Sequence, residues 1–370
     1  MKITCSKENL ITAINIVSKA VSNRTTLPIL KCIMLTATDE ALKLIANDME
    51  LGIETYVDSS LVESIGSIAL ESKIFSEIVR SLPDDEVLIE VENSSVCKIK
   101  SGRSEFKLLG ESTEDFPALP LIEKQTCYSI PSDKLKNMIK HTSFSVAVEE
   151  TRPAFTGELF EIKGKNLNLV AVDGFRMAIR TIEFEDSDSE IKDISVIIPA
   201  KTLNEISKIL PDDSELKVYF TESQALFEID NTVVVSRLLT GEFLKYEQAF
   251  SGDTTINAQL NRNELLSCLE RAFLMSRNSG RKNPINLFLD GYILTIVSQT
   301  ETGIFNEEIL IENECDKLEI SFNPKYLIDI LKAIESDEII LRFSTSLSPC
   351  IIVGEDSTQY KYLALPLKLK

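Results

Sequence analysis

The chain has 370 residues, 44% of them hydrophobic and 26% charged, with a formal net charge of −19. That composition leaves room for three ordinary domain cores and excludes a disordered or collagen-like chain. No apolar run reaches the roughly 20 residues a membrane span needs, and the start, Met1-Lys-Ile-Thr-Cys, reads as a strand rather than a signal peptide.

In chain order, the first strand precedes a polar helix start at Lys7 and an amphipathic helix around Leu10. The same sequence of events recurs as Tyr128-Ser-Ile-Pro before Asp133 and Leu135, and as Ile256-Asn-Ala-Gln-Leu before Arg262 and Leu265. A second helix recurs as Phe75/Ile78/Leu82, Leu203/Ile206/Leu210 and Leu327/Ile330/Ile334, all with i, i+3, i+7 spacing. Between the helices, alternating or apolar runs such as 41–46, 86–91, 166–172, 215–220, 292–297 and 338–343 predict strands. Turn signals separate them at Pro83-Asp84-Asp85, Ser101-Gly102, Pro211-Asp212-Asp213 and Asp290-Gly291. Self-similarity at about 125 residues defines whole domains, not solenoid repeats. The reading is three α+β domains over 1–122, 126–250 and 254–370, each with two helices packed on antiparallel sheets. Linkers fall at 116–125 and 250–255, and the acidic run from Glu183 to Asp193 reads as a solvated loop.

The negative charge is segregated. The six recurrent helices with their flanks (6–24, 72–82, 132–141, 200–210, 262–282 and 324–334) hold 17 Lys+Arg against 7 Asp+Glu, a net +10, which leaves −29 for the rest. Basic helices in an acidic chain are the footprint of a polyanion track. Few aromatics interleave them, so stacking on single strands is not indicated. Catalytic motifs are missing: there is no phosphate-binding glycine loop and no H-E-x-x-H, and His141 is the single histidine. Asp48 and Asp173 follow equivalent strands, and turn-capping is the commoner role for such residues. The seven cysteines lack C-x-x-C spacing and read as reduced, buried thiols of a cytoplasmic protein. The sequence predicts no metal and no cofactor.

A domain of this length is roughly 34 Å across, judged from its expected radius of gyration. Three such spheres close around a hole of about 5 Å, and six around a hole about as wide as one sphere. A duplex is roughly 20 Å wide. Two chains joined head to tail could encircle it; one could not.

Several segments carry a resemblance to a known family: Thr26-Leu-Pro-Ile-Leu, Ser101-Gly-Arg-Ser, Ala171-Val-Asp-Gly-Phe-Arg-Met-Ala and Tyr362-Leu-Ala-Leu-Pro-Leu-Lys-Leu. In order, across three repeats, they resemble the bacterial sliding clamps, the beta subunits of DNA polymerase III, over the whole length. The resemblance implies a DNA-clamp fold, a head-to-tail dimeric ring around duplex DNA, and a non-catalytic processivity role. It implies a peptide pocket that serves the replicative polymerase, the clamp loader and other replication and repair proteins. Matching pocket positions are Phe155, Val172, Gly174, Phe175, Arg176, Met177 and Leu244 from the second domain. From the third come Asn323, Tyr326, Leu347, Leu363, Ala364, Leu365, Pro366, Leu367 and Lys368. Here a threonine of the family pattern is Val172, a histidine Phe175, a proline Leu244 and an arginine Gln248, and leucines flank Pro366, so a more apolar, less basic pocket is expected. DNA-facing matches are Arg24, Lys73, Arg152, Lys201, Arg277, Arg281 and Lys282, with Pro153-Ala154 in place of an aromatic pair. At the dimer edge Phe106 and Leu108 would meet the partner chain's Leu274 and Met275. The rival reading is a three-domain interaction scaffold that never encircles DNA; an enzyme is a distant third. The tail Leu363-Ala-Leu-Pro-Leu is expected either to wall the pocket or to be a buried edge strand, and Arg176 to meet a partner's carbonyl or carboxylate.

Overall fold

The computed structural model describes residues 1–370 except 23–24, 59, 93–94, 150, 185–191, 278–283, 302, 356–358 and 368–370. Seven α-helices occur among the described residues: α1 Lys7–Val17, α2 Ser72–Ser81, α3 Ser132–Thr142, α4 Ala200–Ile209, the short α5 Tyr246–Ala249, α6 Arg262–Arg277 and α7 Pro324–Ala333. None is long and apolar enough to cross a membrane.

The helices form where spacing and caps agree. Ser6 caps α1, its hydroxyl accepting from the Asn9 amide at 3.1 Å, and Leu10, Ala13, Ile14 and Val17 form the buried stripe. Glu71 caps α2 by accepting from the Lys73 and Ile74 amides. Asn261 does the same for α6, and Asn323 for α7, which has Pro324 in its first turn. Of the predicted i, i+3, i+7 residues in the second helices, Phe75, Leu82, Leu203, Ile206, Leu210, Leu327, Ile330 and Ile334 are buried, whereas Ile78 is half-buried and its neighbour Val79 takes the inward place.

The chain folds as two compact units, Met1–Asp133 with Lys201–Leu238, and Lys134–Ala200 with Leu239–Lys370. The first holds a five-stranded antiparallel sheet in the order Leu61–Ser64, Lys2–Ser6, Glu86–Glu92, Val96–Ser101, Ser104–Leu109. It also holds an eight-stranded sheet ordered Tyr128–Pro131, Glu215–Phe220, Gln224–Ile229, Thr232–Arg237, Leu51–Val57, Leu42–Asn47, Cys32–Ala37, Gly66–Glu71. The second unit repeats the pattern with Ile194–Pro199, Gly157–Lys163, Asn166–Val172, Arg176–Glu183, Tyr360–Ala364, Cys350–Gly354, Glu338–Phe343, Ile256–Asn261, and adds the long pair Ile285–Thr300 with Gly303–Phe322. Each eight-stranded sheet therefore draws four strands from one sequence repeat and four from the next. The joining pairs are Leu51–Val57 with Thr232–Arg237, and Arg176–Glu183 with Tyr360–Ala364.

Three expectations are corrected. Asp290-Gly291 does not separate two strands. It lies inside Ile285–Thr300 as a register shift, with Gly291 at φ 62°, because the left-handed glycine that closes a hairpin also makes a β-bulge. Cys127 is exposed, whereas the other six cysteines are buried; it lies in the irregular stretch before Tyr128, outside any apolar pattern. Tyr360–Ala364 is not an edge strand: Arg176–Glu183 and Cys350–Gly354 flank it on both sides. The acidic run keeps only its ends among the described residues.

Candidate DNA-facing and partner-binding surfaces

The expected peptide groove lies wholly in the second unit. Asn166–Val172 and Arg176–Glu183 are joined by a tight turn, and Asp173 closes it: its Oδ1 accepts from the Phe175 amide at 2.8 Å and the Arg176 amide at 2.9 Å. Gly174 supplies φ 90°. Asp48 builds the same turn in the first unit, accepting from the Glu50 and Leu51 amides. Both aspartates are turn-capping residues, as predicted. Beneath the second turn, Phe155, Val172, Met177 and Leu363 belong to one buried apolar cluster, joined by Tyr246, Leu239 and Phe243. Ala364 is buried opposite Arg176, and the Leu365 amide donates to the Phe175 carbonyl at 2.8 Å. The Leu367 amide donates to Ser321, so Leu365-Pro366-Leu367 is held as a wall beyond the last strand. Phe175, half-exposed, stacks on Tyr326 at a centroid distance of 6.0 Å. Asn323 is committed to capping α7. Leu244 and Leu347 are exposed and stand outside the cluster, while Lys368 lies outside the described residues.

Arg176 departs from expectation. It is buried, and its donors are engaged within the chain: Nε to Asp173 Oδ2 at 3.0 Å, Nη1 to Asp329 Oδ2 at 2.7 Å, Nη2 to the Phe144 carbonyl at 2.6 Å. The guanidinium carbon sits 4.9 Å from the Tyr326 ring centre and 5.3 Å from that of Phe144. It is a strut tying the turn to α7, with three of its five N–H donors engaged there. Burial, then the Asp173 charge, raises the Tyr326 phenol above its ordinary range. Sequence reasoning missed Asp329, Phe144 and Tyr246. Only Asp173, three residues before Arg176, carried a local signal.

Of the basic positions, Lys73 is exposed in the first turn of α2. Lys201 is exposed at the start of α4, with its Nζ 2.6 Å from Asp48 Oδ2. Arg152 is exposed, its guanidinium 5.5 Å over the Phe155 ring. Arg277 ends α6; its side chain, like Arg24, Arg281 and Lys282, lies outside the described residues. At the expected dimer edge, Phe106 and Leu108 are half-buried on Ser104–Leu109, the last strand of its sheet. On α6, Leu274 is 62% exposed and the Met275 side chain reaches Gly303.

Three sequence profiles of one family match in succession: DNA polymerase III beta subunit, N-terminal domain over 1–120, central domain over 129–245 and C-terminal domain over 247–368. Beta sliding clamps of Halalkalibacterium halodurans and Bacillus subtilis are each 36% identical over 379 aligned residues, covering both chains in full. The solved Bacillus subtilis clamp superposes with a TM-score of 0.96 at 35% identity, again over both whole chains. A putative DNA polymerase III beta subunit from Eubacterium rectale gives 0.94 at 40%. A three-repeat, non-catalytic clamp architecture is thus the class of protein in hand. The chain belongs to the DNA polymerase III beta subunit family, the beta sliding clamps.

Proposed function

We propose that two copies of this chain close head to tail into a ring around duplex DNA and hold the replicative polymerase there, together with other replication and repair proteins. Three clamp domains over 1–122, 126–250 and 254–370 would make the ring's six segments. The match of three successive clamp profiles to one chain carries this reading. Two open sheet edges support it. Among the described residues Ser104–Leu109 pairs on one side only, and Gly303–Phe322 forms its ladder with Ile285–Thr300, while Asn313 and Cys315 bond to Ile256–Asn261 and leave the strand's first half as the open edge. Unpaired edges are templates for strand pairing with another chain. The Phe106/Leu108 edge and the Leu274/Met275 end of α6 are the proposed contact, as a head-to-tail dimer requires.

The cationic helices, among them Lys73, Lys201, Arg152, Arg277, Arg281, Lys282 and Arg24, would face the phosphates loosely, giving salt-sensitive, sequence-independent contact. The groove of the second unit would receive an extended, apolar-ended segment of each partner, the partners competing for it. The protein would work in the cytoplasm. The test is topological: loaded by a clamp loader on closed circular duplex, the protein stays bound through high-salt gel filtration and leaves once the circle is cut. Loss from intact circles at the same salt rejects the ring. Sedimentation of wild type should show a dimer near twice 41.4 kDa, and the Leu274→Ala, Met275→Ala double variant a weakened one.

A further inference from the structure

We propose that the first unit carries a second docking groove, at the place equivalent to the groove of the second unit, and that it takes an extended partner segment offering one apolar side chain beside a carboxylate. This goes beyond the function proposed above, which needs only the groove of the second unit.

The equivalence lies in the backbone. In the second unit the Asp173 amide donates to the Arg176 carbonyl at 3.3 Å and the Leu365 amide to the Phe175 carbonyl at 2.8 Å. In the first unit the Asp48 amide donates to Leu51 at 3.0 Å and the Arg237 amide to Glu50 at 2.9 Å. Met177 faces Leu363 across one strand pair, and Gly52 faces Val235 across the other. Every position matches at an offset of 125 on the turn side, so Arg237 occupies the place of Leu365 and Gly52 that of Met177.

The side chains differ, and the difference sets the occupant. Where Met177 fills the floor of one groove, Gly52 leaves the other open, and Leu119 from the Pro117–Pro120 stretch enters part of that space. A cavity of about 200 Å³ remains among Met49, Leu119, Val235, Gln224 and Arg237. That is smaller than the roughly 300–1,000 Å³ of a small-molecule site, and suits a single aliphatic or aromatic side chain. Met49, 47% exposed, stands at its lip, and Leu121, fully exposed, follows the lining residue Pro120. The Arg237 side chain is exposed, and among the described residues no carboxylate lies within ion-pair distance of it. A guanidinium at the mouth of a cavity walled on one side by Met49, Leu119 and Val235 selects a carboxylate next to the inserted side chain. Glu50, which also lines the cavity, disfavours a second acidic residue and so orients the segment.

The test uses the full-length protein with ¹³C-methyl methionines, so that Met49 reports this groove and Met177 the other. The probes are the tripeptides acetyl-Asp-Leu-Phe-amide and acetyl-Lys-Leu-Phe-amide. The acidic probe should shift the Met49 methyl saturably, with at least fivefold lower Kd than the lysine probe. Arg237→Glu, an exposed change, should reverse that preference while leaving the Met177 response as in wild type. No saturable Met49 shift with either probe overturns the proposal. So does a shift equal for both probes and unaltered by Arg237→Glu. Failure of the function proposed for the second groove would show at Met177 and leave the Met49 result readable.

Discussion

The first and second repeats place different chemistry on the same backbone. Shifted by 125 residues, Val17, Ile33 and Leu51 of the first unit correspond to Thr142, Glu158 and Arg176 of the second. All six are buried. One unit fills these places with hydrocarbon. The other fills them with a hydroxyl, a carboxyl and a guanidinium, each of which must find partners or destabilise the fold. Even the turn aspartates diverge: Asp48 is paired by Lys201, which is largely exposed, and Asp173 by Arg176, which is enclosed. Buried polar groups are weak evidence of stability. Their effect in the second unit is to orient the turn and the face of α7 that frame the proposed partner groove.

The largest expected effect comes from converting the second turn toward the first. Arg176→Leu leaves Asp329 and the outer oxygen of Asp173 without their cation, and should cost about 3–5 kcal/mol in urea unfolding, as breaking a buried pair does. Adding Asp329→Leu should recover part of that loss, because replacing more of the ionic set with hydrocarbon removes a stranded charge. Lys201→Leu, at a pair whose lysine is largely exposed although the Asp48 side chain is not, should cost about 1 kcal/mol. Equal costs at Arg176 and Lys201 would remove the distinction between the two turns.

Much of this was legible from sequence. Spacing placed six helices to within a few residues, and the repeats marked Asp48 and Asp173 as equivalent turn residues. The row 172–177 and the tail from Leu363 were picked out by resemblance, and the structure brings most of them to one turn and the apolar cluster beneath it. What was not legible was long-range. Period-two alternation shows that a strand has two faces but not which strand it pairs with, so the sheets shared between repeats were unreadable. Asp329 lies 153 residues from Arg176 and looks like any helix-surface acid. The tail was read as either wall or edge strand; it is an interior strand to Ala364, and from Leu365 it runs on beside Phe175 and Ser321. A truncation meant to test the groove should therefore begin at Leu365, since one at Leu363 cuts the sheet.

Next in size is Glu158. The Thr142 hydroxyl has one hydrogen and two neighbours, the Met138 carbonyl at 2.9 Å and Glu158 Oε2. A carbonyl only accepts, so both contacts are hydrogen bonds only when Glu158 carries the proton. Burial independently pushes this carboxyl up to about 8 from an ordinary 4.5, opposed by the Thr142 bond. The native state then binds a proton that the unfolded chain has released, so stability falls as pH rises from about 4.5 to about 8 and levels off above that. Glu158→Gln keeps a donor toward Thr142 and abolishes the titration. It should match wild type near pH 4.5 and exceed it by about 2–4 kcal/mol at pH 8.5. Parallel stability–pH curves for the two proteins would mean that the carboxyl is ionised in the core.

At Gly52 the comparison turns on space. A Cβ there would lie 2.1 Å from Leu119 Cδ2, so Gly52→Ala must displace that leucine. Overpacking of this kind should cost about 1–3 kcal/mol and weaken probe binding at Met49. A neutral thermal melt would show that Leu119 does not fill the space over Gly52.

The smallest effects test the turns themselves. Met49 and Gly174 are equivalent, and both are left-handed, with φ of 77° and 90°. A side chain at such an angle costs about 1 kcal/mol relative to glycine. The first unit bears that strain; the second avoids it. A Cβ at Gly174 meets nothing within 4 Å, so backbone strain alone should set its substitution cost. Met49→Gly relieves strain but frees the unfolded chain, and the two should nearly cancel. Gly174→Met adds that strain but narrows the unfolded chain, so the same two terms oppose each other and the net loss should stay below about 1 kcal/mol. With both aspartate caps intact, the double exchange should equal the sum of its parts, since the turns share no partner. A loss well above about 1 kcal/mol for Gly174→Met beside a neutral Met49→Gly would mean that the two turns hold their left-handed residue with different strain.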